Sequence, residues 1–341
     1  MLNFMNDYSE AACPEILKKI TETSLDKNLP YGMDSYCASA QEKIRKECNC
    51  PEAQVYFLTA GTQTNMLVID CMLKPYEGVI APVTGHTNNY EAGAVEFTGH
   101  KVLSIPEYNG KLTAADVDDY IKAFYADDSH DHMVFPGIVY ISHPTELGTL
   151  YTREELAALH EVCSSYNIPL FADGARMGYG LMAQGTDVTL EVLAKYCDVF
   201  YIGGTKVGAL YGEALVFTKN NMPERFSTRV KQHGAMVSKG WLIGMQFDVL
   251  FTDDLYYRLG ANAIQTAAQI KKALAEKGYE FFIDSPTNLI FIVLENEKCR
   301  ELTSKVRLDY WGKIDDSHVV MRIATSWATT QEQVDALINV L

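Results

Sequence analysis

Residues 197–217 read CDVFYIGGTKVGALYGEALVF, and the order of residue types in this stretch decides the fold. Val199 to Ile202 form an apolar, β-rich run that ends in Gly203 and Gly204, followed by Thr205 and Lys206. An amine is thereby presented where a strand meets tight backbone. Val207, Ala209 and Leu210 follow, and no other charge appears before Glu213. Apolar surroundings disfavour a charged lysine and leave more free amine for imine formation. Upstream, NIPLFADGAR (167–176) is a second apolar run, and Asp173 ends it at the same kind of strand terminus. A carboxylate and an amine on adjacent strand ends are what pyridoxal 5′-phosphate requires, one to keep the pyridine nitrogen protonated and the other to hold the aldehyde as an imine. Taken alone, Asp173 reads equally as the cap of the turn that follows it.

Working outward, further strand-like runs stand at VYFLTAG from 55, GVIAP from 78, KVLSI from 101, GIVYIS from 137 and EALVFT from 213. Segments such as TREELAALHEVCSSYN from 152 carry apolar residues at helical spacing between them. This alternation predicts an α/β fold, with a mostly parallel seven-stranded sheet between helices. Ligands of such sheets collect beyond the carboxyl ends of the strands. After about residue 240 the pattern changes to a long helical stretch, DLYYRLGANAIQTAAQIKKALAEKG, then NLIFIVL, HVVMRIATSW and a closing helix in TQEQVDALINVL. We read residues 20–245 as a large domain, with 1–19 and 246–341 as a smaller α+β domain and N-terminal arm.

The chain has 341 residues, enough for such a two-part subunit. A formal charge of -15 argues against nucleic-acid binding, which draws affinity from Lys and Arg against phosphates. No apolar run is long enough to span a bilayer, and the first residues, MLNFMNDYSEAACPEIL, lack a basic leader, so the expectation is a cytoplasmic protein with no membrane partner. The eight cysteines are scattered, and Cys48 and Cys50 have no second pair to complete a zinc site. Reduced thiols and no metal are expected.

Two loops add candidates. FLTAGTQTNMLVID from 57 reads as a strand, a turn, and a helix from about Asn65, with the N–H groups of Gly61, Thr62 and Gln63 placed to bind an anion such as a phosphate. An ordinary capped helix has the same pattern. His86, in PVTGHTNNYEAGAVEF, is suited to stacking on a planar ring or exchanging protons with substrate, with Glu91 placed to orient it. Taken alone, it reads equally as a plain turn residue.

Together and in this order, AGTQTN, GHTNNYEAGA, ISHPTELGTLY, ADGAR and YIGGTKVGALYGEA resemble the threonine aldolase family of pyridoxal-phosphate enzymes, which have the aspartate-aminotransferase fold type I. The resemblance runs from NDYSE near residue 6 to MRIATSWATTQEQVD near the C-terminus. It implies that Lys206 forms the imine with the cofactor, Asp173 pairs with the pyridine nitrogen and His86 stacks on the ring. Gly61, Thr62, Gln63 and Thr205 are implied at the phosphate, and Arg176 is implied to touch the cofactor as well. Arg176 and Arg322 are implied at the substrate carboxylate with Ser9 close by, a task that suits a planar guanidinium fork.

The implied reaction is aldol cleavage of L-threonine, L-allo-threonine and related β-hydroxy-α-amino acids to glycine and an aldehyde, with His86 or a water it orients moving the hydroxyl proton. The family also implies a homodimer or homotetramer with active sites at the interface, for which Tyr31 in LPYGMDSYCASAQ is the candidate to reach a neighbouring site and its substrate. Gly-Gly-Thr precedes the lysine where many members have a serine, and SHPTELG replaces an Asn-Thr pair. Those departures leave the cofactor chemistry in place and the side-chain specificity open. A β-eliminating lyase or aminotransferase shares Lys206 and Asp173, and a non-catalytic member of the fold is the reading from another class.

Overall fold

The computed structural model describes residues 1–341. In chain order the strands are β1 (Leu2–Asn3), β2 (Gln54–Leu58), β3 (Glu77–Pro82), β4 (Val102–Ile105), β5 (Phe135–Ser142), β6 (Leu170–Asp173), β7 (Val199–Gly203), β8 (Glu213–Phe217), β9 (Glu280–Ile283), β10 (Leu289–Glu295), β11 (Val306–Arg307), β12 (Asp309–Lys313) and β13 (His318–Ala324). Seven of them, β2 to β8, form one sheet in the order β2-β8-β7-β6-β5-β3-β4. The five strands β4, β3, β5, β6 and β7 run parallel, whereas β8 is antiparallel to both β7 and β2.

Alternate residues of the sheet enter separate apolar clusters, as the two-residue period of a strand requires. Val139, Ile141, Phe200, Ile202, Ala214 and Val216 join one cluster. Ile138, Tyr140, Val199, Tyr201, Leu215 and Phe217 join the other. Helices Arg153–Ser165 and Ala114–Ala126 contribute Leu156, Leu159, Val117 and Ile121 to the first. Helices Gly61–Met72 and Phe226–Gln232 contribute Leu67, Val68 and Val230 to the second. Burial on both faces is why these strands are continuous apolar runs in the sequence. Each large apolar side chain so buried contributes roughly 1.5–3 kcal/mol.

The C-terminal part forms an antiparallel sheet in the order β12-β13-β10-β9. Helix Leu255–Glu276 ties it to the rest: Tyr256 and Ala263 pack in the first cluster, while Ala267, Ile270 and Leu274 pack under the small sheet. At the N-terminus β1 pairs in parallel with β11, and the Phe4 carbonyl accepts from the Ala324 N–H at the end of β13. That pairing carries Asp7 and Tyr8 toward the sheet edge. No helix is long and apolar enough to cross a membrane.

Candidate active site

Five residues end up along one edge of the large sheet because of register. Ser142 pairs with Asp173 across β5 and β6, Gly203 pairs with Glu213 across β7 and β8, and Leu58 pairs with Glu213 across β2 and β8. Since β8 runs against its neighbours, its first residue lies at the edge where theirs end. A cavity of about 220 Å³ opens there, with Gly61, Thr62, His86, Asp173, Thr205 and Lys206 in its lining.

Lys206 is held by the tight backbone that precedes it. A Cβ on Gly203 would lie 2.4 Å from the Ala175 carbonyl oxygen, and one on Gly204 would lie 2.7 Å from that of Gly212, so neither position accepts a side chain. The Tyr179 hydroxyl donates to the Lys206 carbonyl. Burial lowers the amine to about 8, with the Arg176 guanidinium pushing the same way and Asp7, Asp173 and Glu213 opposing.

Asp173 is buried and takes four donors. Tyr201 Oη (2.5 Å) and the Ala175 N–H (2.9 Å) reach Oδ1, while Tyr140 Oη (2.7 Å) and Asn65 Nδ2 (2.9 Å) reach Oδ2. Burial alone would raise its pKa. The charge of His86 and the hydrogen bonds from Tyr201, Asn65 and Tyr140 outweigh it, and the carboxyl lies below its ordinary value. Asn65 also donates to Glu91 Oε1 (2.7 Å), and that oxygen lies 2.9 Å from His86 Nδ1. Glu91 therefore orients His86, and the chain continues through Asn65 to Asp173.

Helix Gly61–Met72 begins earlier than the sequence indicates, at Gly61 and not near Asn65. Ala60 is its N-cap with no side-chain cap bond, so backbone N–H groups of the first turn are left for a ligand. Gly61 is required there, because a Cβ would stand 2.9 Å from Tyr201 Oη. Thr62 lines the cavity, whereas the Gln63 side chain turns back to accept from Thr59 Oγ1 at 2.6 Å. Thr205 Oγ1 accepts from the Gly212 N–H at 3.0 Å and donates to Glu213 Oε1 at 2.8 Å.

An outer cavity adjoins the first, and His86, Glu146, Arg176 and Lys206 line both. Arg176 is engaged from within the chain: its Nε and Nη2 donate to Asp7 Oδ2 and Oδ1 at 2.7 and 3.0 Å. Asn288 Nδ2 also donates to Asp7, at 3.0 Å. Burial would raise Asp7, but Arg176 and Lys206 prevail and hold it at about 2. Arg322, on β13, reaches the outer cavity, where its Nη2 meets Asp309 at 2.8 Å and its Nε is buried without a partner. Ser9 is exposed, donates to Asn6 Oδ1 at 2.8 Å and lines neither cavity, whereas Tyr8 lines the outer one. Tyr31 borders a separate small hollow with Val237 and Gly240.

Besides Asp7, two buried carboxyls carry no role in the sequence reading. Glu213 accepts from the Gly204 N–H (3.1 Å) and Thr205, and burial pushes it up to about 8. Glu146 lies in the SHPTELG turn after β5 and is raised chiefly by burial, with Asp173 adding to it. Its Oε2, together with Asn65 Oδ1 and Glu91 Oε2, is buried without a partner. First-turn N–H groups at one end, a carboxylate anchored by four donors at the other and a recessed amine between suit a flat, phosphorylated pyridine aldehyde. The residues fit that group.

Comparison with known proteins agrees with this chemistry. A model of the beta-eliminating lyase family matches residues 3–297. The low specificity L-threonine aldolase of Pseudomonas sp. (strain NCIMB 10558) is 29% identical over 307 residues, 89% of this chain and 87% of that protein. The low specificity L-threonine aldolase of Escherichia coli (strain K12) is 25% identical over 89% of each chain. The solved structure of Leishmania major threonine aldolase superposes with a TM-score of 0.96 at 38% identity, covering 100% of this chain and 98% of that one. Aspartate aminotransferase from Thermus thermophilus shares the fold alone, with a TM-score of 0.70 at 14% identity over 100% of this chain and 90% of that one.

Proposed function

The chain belongs to the beta-eliminating lyase family and, within it, to the threonine aldolases, and from that premise we propose that it cleaves L-threonine, L-allo-threonine and related β-hydroxy-α-amino acids to glycine and an aldehyde. The observation that carries this reading is the convergence of Lys206, Asp173 and a helix N-terminus without a side-chain cap on one cavity. Bound pyridoxal 5′-phosphate would supply an electron sink for the pair released when the Cα–Cβ bond breaks.

We assign Lys206, Asp173, His86, Gly61, Thr62, Gln63 and Thr205 to holding that cofactor. Lys206 offers an amine that titrates near neutral pH, so a useful fraction is free to form an imine. Asp173, kept anionic by the charge of His86 and the hydrogen bonds from Tyr201, Asn65 and Tyr140, would hold a proton at the pyridine nitrogen. Gly61 and Thr62 offer backbone N–H groups to the phosphate, and Gln63 joins them through its backbone because its side chain is committed to Thr59. Arg322 and Arg176, the latter braced by Asp7, are assigned to the substrate carboxylate from the wall of the outer cavity. Fixing that carboxylate decides which bond at Cα lies perpendicular to the ring, and hence which bond breaks.

The proposal extends to assembly and location. Leu25, Leu29, Tyr31, Met33 and Val237 are exposed apolar side chains, and we assign this surface to contact between subunits of a homodimer or homotetramer. All eight cysteines are free, which suits the cytoplasm. Residues 20–245 are proposed as the cofactor-binding domain, and 1–19 with 246–341 as the part that closes on it.

The test is a product assay of the purified, cofactor-loaded protein with L-threonine. Glycine and acetaldehyde in equal amounts are expected. A 2-keto acid with ammonia in their place would show elimination, and no product from any β-hydroxy amino acid would refute catalysis of this class.

A further inference from the structure

We infer that Glu146 is the base that takes the β-hydroxyl proton of the substrate. This rests on the aldolase reading above and names a residue for the step that the sequence assigned to His86 or its water.

Position comes first. Only His86, Glu146, Arg176 and Lys206 line both the inner cavity, which holds Asp173 and the phosphate cradle, and the outer one, which holds Arg322. A substrate whose amine lies toward Lys206 and whose carboxylate lies toward Arg322 spans that seam, which puts its Cα and the groups on it beside these four residues. Three of the four are already committed. Arg176 is bidentate to Asp7 and carries no basic lone pair. Lys206, displaced by the substrate amine, is kept for the proton that Cα receives. His86 Nδ1 is tied to Glu91, and its ring, 5.7 Å from that of Tyr90, is assigned above to holding the cofactor.

Glu146 has a basic atom without a partner. Its Oε1 is fixed by Ser142 Oγ at 2.6 Å and by the His86 backbone N–H at 2.9 Å. Its Oε2 is buried, bonds to nothing and belongs to a side chain in the cavity wall. A buried carboxylate oxygen costs stability unless something supplies a hydrogen bond. A substrate hydroxyl donating to Oε2 would satisfy it. The orienting bonds to Oε1 leave Oε2 as the oxygen with no partner inside the protein, and burial raises the basicity of the group above that of a solvated carboxylate.

The step balances as follows. Oε2 would take the hydroxyl proton, the O–H pair would become the second bond of the aldehyde carbonyl, and the Cα–Cβ pair would stay with Cα, where the bound cofactor would supply the electron sink. The Lys206 ammonium then gives a proton to Cα, which completes glycine. Glu146 loses its proton to water in the outer cavity, and water restores the one on Lys206.

The experiment compares wild-type holoenzyme with Glu146→Gln and Glu146→Asp. The readouts are aldehyde release from L-threonine, glycine affinity from the absorbance change on titration, and exchange of the glycine α-hydrogen in deuterium oxide. Exchange needs the cofactor and Lys206 but no hydroxyl base. We expect Glu146→Gln to lose roughly a hundred- to ten-thousand-fold in kcat for cleavage. Glycine affinity and α-hydrogen exchange should stay within about threefold of wild type, and Glu146→Asp should recover part of the lost rate. Cleavage by Glu146→Gln within about threefold of wild type would overturn the assignment, as would parallel loss of cleavage, exchange and glycine binding. If wild-type enzyme exchanges glycine but releases no aldehyde, it is the aldolase reading that fails.

Discussion

Replacing Glu213 by Gln should make the cofactor-free protein less stable in mild acid and more stable in mild base. The carboxyl is buried beside Lys206 and Asp173, and burial raises it from an ordinary 4.5 to about 8. Below pH 4.5 the folded and unfolded chains are both protonated there, and the group adds no pH dependence. Between 4.5 and 8 the unfolded chain releases its proton while the folded chain keeps it, so stability is lost as the pH rises. At about 1.4 kcal/mol for each tenfold change in proton affinity, the loss reaches up to about 5 kcal/mol above pH 8. Gln removes that loss but leaves one of the two donors, Gly204 N–H or Thr205 Oγ1, without its acceptor, at a cost of about 1–3 kcal/mol. The variant should therefore be weaker by about 1–3 kcal/mol at pH 4.5, should match wild type between about pH 5 and 7, and should be stronger by about 2–4 kcal/mol above pH 8. Urea unfolding of both proteins across that range measures this. A difference that does not change with pH would refute the reasoning, because Glu213 would then ionise alike in both states.

Two further outcomes follow from the site. Because the Lys206 amine is lowered to about 8, colour formation on mixing cofactor-free protein with pyridoxal 5′-phosphate should accelerate with pH and reach half its maximum near 8; a midpoint of 10 or above would contradict the recessed setting. The two arginines should separate. Arg176→Leu strands the buried Asp7 carboxylate and should cost about 3–5 kcal/mol of stability. That contribution is present above pH 4 and is lost as the pH falls through about 2, where Asp7 titrates. Arg322→Leu should leave the unfolding midpoint nearly unchanged and weaken glycine binding by about tenfold or more, since a charge-assisted bond is lost. Urea unfolding and absorbance titration of both variants check this, and the reverse pattern would contradict the assignment.

The large sheet was legible because five of its strands are buried on both faces, and a strand in that position must be a continuous apolar run. The placement of Asp173 and Lys206 at the cavity was legible for the same reason, since Asp173 ends such a run and Lys206 follows shortly after another. The start of helix Gly61–Met72 was not. Its cap is Ala60, which gives no side-chain signal, and the turn is left open for a ligand. β9 and β12 were missed because they are edge strands of the small sheet with partly exposed, mixed sequences, EFFI and DYWGK. Glu213 was passed over because it begins its strand; only the antiparallel direction of β8, a tertiary fact, sets it at the edge where the other strands end. Glu146 lies where the chain departs from the family pattern, so the resemblance had nothing to transfer to it. The Asp7–Arg176 pair joins the N-terminal arm to the ADGAR turn, and no local pattern reports a contact across that separation. Ser9 fits the motif by position, but Asn6 takes its hydroxyl and Tyr8 faces the cavity instead.

The account stands on Lys206 as the residue that joins the cofactor. Loading the protein with pyridoxal 5′-phosphate, reducing it with borohydride and mapping the added mass by peptide sequencing tests this directly. A single pyridoxyl-phosphate adduct on Lys206 is the result the structure predicts. An adduct on another lysine, or none, would contradict it.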